Sequence, residues 1–295
     1  MINLKNCPNC KSIENDQFLT SKDYSTSKEI FNIVKCKNCE LLFTNPRPSE
    51  NEIGKYYLSN NYISHTNNNK GFFNFMYQTV RKYAIESKTK LLLKHSIIGH
   101  HLDIGSGTGE YLNSCSKEGY KCIGIEPSKI AREQAENNFN LMIKENIDLK
   151  QFSNDTFDSI SMWHVLEHVY KLDETIKNLS RIINNNGTLI IAVPNYMSFD
   201  AKFYKKYWAA WDLPIHLNHF SPKTIINIFE KNNFKLKNKK GMIFDSFYVS
   251  LLSNQYKNGR KQYLKGFLIG LLSNISAFFK ISDYSSIIYI FKREK

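Results

Sequence analysis

Short apolar runs and amphipathic segments follow one another along the chain from residue 101 onward. Apolar runs predict strands, and segments with apolar residues three or four positions apart predict helices. The predicted strands cover residues 101–105, 121–127, 139–143, 157–163 and 187–195. The predicted helices between them cover residues 108–119, 128–138 and 172–183, the second of which Ser128 opens as N-cap. Strands that alternate with helices at this spacing predict an α/β fold with a doubly wound, mostly parallel sheet.

The alternation loosens after Pro194. Ser221 as N-cap and Pro222 at the first helical position predict a helix over residues 221–233. Residues 234–241 predict an edge strand, and the alternating, β-branched residues 285–294 predict a final strand. The chain is therefore expected to return to strand structure near its C-terminal end.

The most apolar segment of the chain is Leu264–Phe279. It is interrupted by Ser273, Asn274 and Ser276, and it is shorter than the roughly 20 residues that a bilayer-spanning helix needs. The segment therefore predicts a buried or interfacial helix, and peripheral contact with a membrane surface is the alternative. The N-terminus lacks the apolar core of a signal peptide, which predicts a cytoplasmic protein.

The formal net charge is +13, which by itself would favour a nucleic-acid partner. Nearly all of the positive charge comes from Lys, only six residues are Arg, and the chain is also rich in Asn and Ile. This pattern indicates a compositional bias of the whole chain, so a nucleic-acid partner is not favoured. The exception is Lys231–Lys265, where nine basic residues stand against one acid and could meet phosphate groups. A solvated Lys-rich surface is the simpler interpretation of that stretch.

A glycine-rich turn, Gly105-Ser-Gly107-Thr-Gly109, follows the first predicted strand and opens a helix. Such a turn suits a nucleotide-like cofactor, because the helix N-terminus offers unpaired N–H groups and glycine lets a ligand approach the backbone. A phosphate-binding loop would need a Lys and a hydroxyl residue after the last glycine, and neither follows here. A dinucleotide fingerprint would need a small residue where Glu110 stands. With those two patterns excluded, the turn is left as an acid, Asp103, followed by glycines at three alternate positions.

Four segments in order resemble the motifs of class I S-adenosylmethionine-dependent methyltransferases: "LDIGSGTG", "GIEPS", "FDSISMWHVLEHV" and "GTLIIAVPN". The agreement extends from His101 to Asn195 and is specific because the spacing of all four segments agrees. The resemblance implies a Rossmann-like sheet whose last strand is antiparallel, and it implies S-adenosylmethionine as cofactor.

The resemblance also implies roles for individual residues. Gly105, Gly107 and Gly109 would let the turn pass close to the cofactor, and Asp103 would orient the methionine ammonium group. Glu126, at the end of the second strand, would accept hydrogen bonds from the ribose hydroxyls. Asn146 is the first candidate for the adenine amine, with Glu145 and Asp148 as alternatives, and Met162–His164 would line the other side of the cofactor.

Methyl transfer often requires a base that removes a proton from the acceptor, and histidine is the natural base near neutral pH. The candidates are His164, His168, His216 and His219. On a helical turn His164, Glu167 and His168 would share a face. That trio could form a metal site, a base with its orienting carboxylate, or a structural cap with one residue touching the cofactor. A carboxylate replaces His164 in some relatives that methylate catechol-like oxygens, which weakens the metal interpretation.

The segment after the fifth strand contains the pattern W-x-x-x-D-x-P-x-H-x-x-H-F, formed by Trp208, Asp212, Pro214, His216 and His219-Phe220. It resembles methyltransferases of cell-surface polysaccharide and other small-molecule pathways. We therefore expect His219 or His216 to act as the base, with Asp212 as its orienter. The tryptophans would face a sugar ring or an isoprenoid-like chain, or simply pack the lid.

These observations predict methylation of an oxygen or carbon of a small molecule, with a sugar, nucleotide-linked sugar or surface-glycan precursor as acceptor. The alternative is an RNA methyltransferase that holds RNA with its N-terminal cysteine unit and its Lys-rich segment. One observation disfavours the RNA methyltransferase. The chain has "WHVLEH" where base N-methylating enzymes often have an Asn/Asp-Pro-Pro-Tyr/Phe motif. A third hypothesis is a non-enzymatic adaptor. It is disfavoured because Asp103, the glycine turn and Glu126 are all intact.

Four cysteines form two C-x-x-C pairs, Cys7 with Cys10 and Cys36 with Cys39. Two such pairs can present four thiolates to a structural, tetrahedral Zn²⁺, and they resemble a zinc ribbon. An iron–sulfur cluster or a redox pair is the alternative. Cys115 and Cys122 are expected to be ordinary buried thiols.

The expected organisation has four parts. A zinc-ribbon module covers residues 1–50, and a helical linker or lid covers 51–100. The cofactor-binding core covers 101–240 and includes a substrate loop at 195–220. A C-terminal helical segment and the last strand complete the chain at 241–295.

Overall fold

The computed structural model describes residues 1–57, 72–145, 148–280 and 283–294. Residues 58–71 of the predicted helical linker or lid and the predicted adenine-binding residue Asn146 lie outside the described residues.

The described residues form two sheets, and the larger of them has seven strands. Its parallel strands are β4 (His100–Ile104), β5 (Lys121–Ile125), β6 (Ile143–Lys144), β7 (Phe157–Trp163) and β8 (Ile183–Pro194). The last strand, β11 (Ser286–Arg293), is antiparallel to β8, and β10 (Phe234–Gly241) forms the edge beside it. The spatial order of the strands is β10-β11-β8-β7-β4-β5-β6. The prediction of a doubly wound, Rossmann-like sheet with an antiparallel last strand is confirmed.

Eight α-helices are described. They are α1 (Phe72–His95), α2 (Glu110–Lys117), α3 (Lys129–Phe139), α4 (Leu172–Ile182), α5 (Phe199–Tyr204), α6 (Pro222–Glu230), α7 (Ile243–Asn258) and α8 (Tyr263–Phe279). The predicted caps are present, since the hydroxyl of Ser128 accepts from the Ala131 N–H and that of Ser221 from the Thr224 N–H.

Two strands differ from their predicted bounds by more than two residues. The third strand was expected over 139–143, but Phe139 ends α3 and Asn140 adopts a left-handed conformation, so β6 begins only at Ile143. The fifth strand begins at Ile183, earlier than expected. The polar residues Asn184–Asn186 hid this extension, because their side chains interrupt the apolar run.

The second sheet joins the N-terminal residues to a distant segment. β1 (Asn15–Lys22), β2 (Ile30–Cys36) and β3 (Leu42–Thr44) form an antiparallel meander. β9 (Asn218–His219) pairs with Leu42 and Phe43 and completes the sheet. The N-terminal sheet and the predicted substrate loop are therefore hydrogen-bonded to each other.

The C-terminal helices α7 and α8 form a hairpin. Gly259, with φ of 68°, ends α7. Within the described parts of the chain, no helix combines the length and the apolarity needed to cross a membrane.

Candidate functional site

The glycine turn connects β4 to α2, and all three of its glycines have positive φ, at 77°, 54° and 82°. A Cβ on Gly105 would lie 2.3 Å from Val165 Cγ2, and a Cβ on Gly109 would lie 2.8 Å from Ala135 Cβ. Gly107 differs, because a Cβ there would have no heavy atom of the described residues within 4 Å. Gly105 and Gly109 thus allow close packing, and Gly107 faces open space that a ligand can enter.

Two acids stand at the ends of neighbouring strands beside this turn. Glu126 follows β5; its Oε2 accepts from the Gly107 N–H at 2.9 Å and its Oε1 from the Ser128 N–H at 2.8 Å. Asp103 on β4 is buried, and its Oδ1 accepts from Ser161 Oγ at 2.5 Å. Burial raises the pKa of Asp103 to about 7.

These groups fit an adenosine-type cofactor. The Glu126 carboxylate is half-buried at the carboxyl end of its strand, where a ribose can reach it. The buried hydroxyl of Ser106 in the turn has no hydrogen-bond partner among the described residues. A polar ligand at the open side of Gly107 would find donors and acceptors ready for it.

The alternative adenine partners are engaged elsewhere. Glu145 is exposed and pairs with Arg132, with Nη2 and Oε1 3.2 Å apart. Asp148 caps a short turn by accepting from the Lys150 N–H. The adenine contact therefore stays a prediction for Asn146.

A cavity of about 550 Å³ lies beyond the carboxyl ends of β7 and β8. Its polar lining includes His164, His168, Asp212, His216 and Asp245. Its aromatic and apolar lining includes Tyr56, Ile215, Tyr248, Val249, Leu252 and Tyr256. In open α/β sheets this is the place where acceptors bind, so the cavity is the candidate acceptor site.

His164 is held between two carboxylates. Its Nδ1 lies 3.3 Å from Glu167 Oε1 and its Nε2 lies 3.0 Å from Asp245 Oδ2. Burial alone would lower its pKa, but hydrogen bonds to Asp245 and Glu167 outweigh burial and raise the pKa to about 10. The ring is therefore an imidazolium at neutral pH, with both N–H groups donated, and in that state it has no lone pair to accept a proton.

His168 and His216 are neutral and lie edge to face, with ring centroids 4.7 Å apart. The Nδ1–H of His168 donates to the Ile215 carbonyl at 3.0 Å, and that of His216 donates to the Ala210 carbonyl at 2.9 Å. Burial lowers the pKa of both rings. Because each Nδ1 carries the proton, each Nε2 holds a free lone pair.

Glu167 stands beside these two rings and is 1% exposed. Its Oε2 has no hydrogen-bond partner among the described residues, and one ligand atom from each of Glu167, His168 and His216 lies within 4.8 Å of the others. Two imidazole lone pairs and a carboxylate oxygen can hold either a proton in transit or a divalent cation. The trio predicted from the sequence is thus centred on Glu167. His164 contacts both Glu167 and Asp245, and His216 joins Glu167 and His168.

His219 lies behind the cavity wall. Its ring is buried edge to face against Trp211, with centroids 5.2 Å apart, and its Nε2 lies 3.1 Å from Thr44 Oγ1. The Thr44 hydroxyl donates to the His216 carbonyl at 2.7 Å, so the His219 Nε2–H donates to Thr44. Burial lowers the pKa of His219 to about 3. Of the two histidines in the pattern, only His216 faces the acceptor cavity.

Trp208 and Trp211 are both buried in the core of the loop. The Nε1–H of Trp208 donates to Asp200 Oδ2 at 2.7 Å, and that of Trp211 donates to the Lys205 carbonyl at 2.9 Å. The tryptophans therefore pack the interior of the substrate loop, which is the second of the two predicted roles. Tyr56, Tyr248 and Tyr256 provide the aromatic cavity wall instead.

Sequence reasoning missed those tyrosines and Asp245. Asp245 is the single acid in the basic stretch Lys231–Lys265, and that isolation was a signal that could have identified it. The tyrosines offered no comparable signal, because the chain contains 17 of them.

The four N-terminal cysteines converge. One sulfur from each of Cys7, Cys10, Cys36 and Cys39 lies within 4.8 Å of the others. The Sγ–Sγ distances are 3.6 Å for Cys7–Cys39 and 3.5 Å for Cys10–Cys36. Two sulfurs bound to one tetrahedral Zn²⁺ are roughly 3.8 Å apart, which is close to these distances. The four cysteines are unbridged, and their geometry suits a metal.

The sheet order, the glycine turn and the acid after β5 define a class I S-adenosylmethionine-dependent methyltransferase. Residues 76–238 match the family model described as a methyltransferase domain, and the chain belongs to that family.

The chain is 30% identical over 195 residues to the ubiquinone biosynthesis O-methyltransferase of Pelagibacter ubique, covering 60% of this chain and 75% of the relative. It is 25% identical over 167 residues to the mitochondrial enzyme of that name from Dictyostelium discoideum, covering 49% of this chain and 52% of the relative. The fold is similar to that of a SAM-dependent methyltransferase from Archaeoglobus fulgidus, with a TM-score of 0.51 and 18% identity, covering 76% of this chain and all of that one.

Proposed function

We propose that the enzyme methylates a hydroxyl oxygen of a small molecule, with a sugar, nucleotide-linked sugar or surface-glycan precursor as acceptor. The observation that carries this proposal is the cavity beyond β7 and β8, which combines a neutral histidine pair with an aromatic wall. S-adenosylmethionine supplies the methyl group as an electrophile when it is bound.

In this proposal the residues around the glycine turn hold the cofactor. Glu126 accepts from the ribose hydroxyls, Gly107 admits the nucleoside, and Asp103 orients the methionine ammonium group. Asn146 takes the adenine amine, as the sequence predicts. His164 is positioned by Asp245 and Glu167 where the cofactor side meets the acceptor cavity.

His216 is the proposed base. Its Nδ1–H is tied to the Ala210 carbonyl, which leaves the Nε2 lone pair to accept the acceptor's proton. Asp212 Oδ2 lies 3.9 Å from that Nε2, which is too far for a hydrogen bond. Burial raises the pKa of Asp212 to about 7, so Asp212 acts on the developing imidazolium through the charge of its ionised form. His219 serves as a positioning residue, because it anchors the same loop to Thr44.

Two features of the cavity support a sugar acceptor. Tyrosine faces pack against the apolar face of a sugar ring, and Tyr56, Tyr248 and Tyr256 line the wall. The carboxylates of Asp212 and Asp245 line the same cavity and can accept hydrogen bonds from ring hydroxyls.

A phenolic hydroxyl on a ring with an apolar substituent is the second candidate acceptor. The similarity to O-methyltransferases named for ubiquinone biosynthesis favours it, as do Ile215, Val249 and Leu252 in the wall. The RNA alternative gains no comparable support. The structure divides Lys231–Lys265 between the edge strand β10 and the hairpin of α7 and α8.

We also propose that the four cysteines bind one structural Zn²⁺. A closed four-thiolate site stabilises a module that is too small to bury a large core by itself.

The acceptor is tested with S-adenosylmethionine labelled in its methyl group and two panels, nucleotide sugars and catechols with and without a prenyl chain. Transfer to a nucleotide sugar supports the first candidate, and transfer to catechols alone replaces it with the second. A His216→Gln variant that transfers as fast as the unmodified enzyme would contradict the proposed base.

A further inference from the structure

Helix α8 has its large apolar side chains on the outside. Leu264 is 73% exposed, Phe278 80% and Phe279 83%. Phe267, Leu268, Leu271, Leu272 and Ile275 are each between 39% and 49% exposed. A helix on the surface of a water-exposed domain normally turns such residues inward. Among the described residues, none covers this apolar face of α8.

Small residues occupy the inner face of the helix. A Cβ on Gly266 would lie 2.8 Å from Leu251 Cα, and a Cβ on Gly270 would lie 2.8 Å from Phe247 Cα, so α8 packs directly on the α7 backbone. Ser273 is fully buried and donates to Asp200 Oδ1 at 2.9 Å. This helix therefore has small and polar residues on its inner face and apolar residues on its outer face. Helices that are surrounded by lipid show the same arrangement.

Basic residues flank the apolar face at both ends. Arg260, Lys261 and Lys265 are exposed where α8 begins, and Lys280 is exposed where it ends. The segment 257–280 contains no Asp or Glu. The positive charge of this face complements an anionic surface. It disfavours self-association through this face, because two copies would bring like charges together.

We propose that the outer face of α8 is a monotopic membrane-docking surface that lies in the interface of a bilayer containing anionic lipids. The apolar side chains enter the acyl boundary, and Arg260, Lys261, Lys265 and Lys280 meet the headgroups. The exposed apolar residues at the start of α7, Ile243 and Phe244, extend the same hairpin surface.

The test is co-sedimentation of the full chain with vesicles of phosphatidylcholine alone and of an equal mixture of phosphatidylcholine and phosphatidylglycerol. We expect binding to the mixed vesicles, at least about tenfold weaker binding to the neutral ones, and weakening as salt is added. The double variant Leu268→Glu/Phe278→Glu should lose at least about tenfold in binding to the mixed vesicles.

The matched control is Ile97→Glu/Ile130→Glu, which adds the same charge at residues that are 72% and 68% exposed away from the hairpin. It should bind as the unmodified chain does. Equal losses in the two double variants, or no binding of the unmodified chain to mixed vesicles at low salt, would overturn the proposal. So would a dimer in light scattering that Leu268→Glu/Phe278→Glu dissociates, because the face would then be covered by a second copy.

Discussion

The backbone N–H of Gly107 donates a 2.9 Å hydrogen bond to Oε2 of Glu126, which joins the glycine turn to the end of the neighbouring strand. The Ser128 N–H holds the other oxygen of the same carboxylate. Because each carboxylate oxygen can accept more than one hydrogen bond, Glu126 is fixed in place and still has acceptor capacity for a ribose.

Replacing Glu126 by Gln should weaken cofactor binding. The substitution removes the charge that strengthens hydrogen bonds from the ribose hydroxyls, which corresponds to about 2 kcal/mol, or roughly thirtyfold in affinity. Isothermal titration calorimetry with S-adenosylmethionine measures the change. Glu133→Gln, on the exposed side of α3, is the control and should bind normally.

Gly107→Arg should abolish cofactor binding and leave the fold intact. The position has φ of 54° and open space around a Cβ, so an Arg strains the turn by only about 1 to 2 kcal/mol but fills the cofactor's place. Gly259 offers a matched control, with φ of 68° and equally open surroundings within the described residues. If Gly259→Arg lost the cofactor as well, strain rather than occupancy would be the cause.

Cys36→Ser should release the metal. One thiolate of the four is lost, and the remaining three cannot close a tetrahedral site. Elemental analysis of the purified chain should give about one zinc per chain before the change and much less after it. Cys122→Ser alters a thiol outside the cluster and should keep the metal; full metal content in Cys36→Ser would refute the site.

His216→Gln and His219→Gln should fail in different ways. Loss of the base should lower kcat about a hundredfold or more and leave cofactor affinity unchanged. His219 is buried away from the cavity, so its loss should lower the free energy of unfolding by about 1 to 3 kcal/mol and leave kcat largely intact. Steady-state kinetics and denaturant titration separate the two, and a larger kcat loss in His219→Gln would reverse the assignment.

The charge on His164 should make stability depend on pH. Its folded pKa of about 10 lies above the ordinary 6.5, so its stabilising effect is complete below about pH 6.5 and is lost as the pH rises towards 10. The side chain is 35% exposed and solvent screens the pair, so the loss should be about 1 to 2 kcal/mol. The difference in unfolding free energy between the unmodified chain and His164→Gln, measured by denaturant titration, should shrink over this range.

The sequence predicted local features well, because each rested on neighbouring residues. The strand Phe157–Trp163 and the edge strand Phe234–Gly241 have the predicted bounds, and the caps at Ser128 and Ser221 form as expected. Glu126 was placed beside the glycine turn by motif spacing, and the structure brings the two together.

Relationships between distant segments could not be predicted in this way. The contact of His164 with Asp245 joins β7 to α7, and no periodicity connects those segments. Likewise, the orientation of α8 depends on which face α7 covers, and an apolar composition is equally consistent with a buried core helix.

The pairing of Leu42–Phe43 with Asn218–His219 ties the first fifty residues to the loop that carries His216, so they support the pocket from behind rather than forming a detachable appendage. A chain shortened to begin after Pro48 would expose the backbone of Asn218 and His219 as an open sheet edge behind the cavity wall. Such a truncated protein would keep the glycine turn and Glu126, yet it would have lost the scaffold that shapes substrate choice.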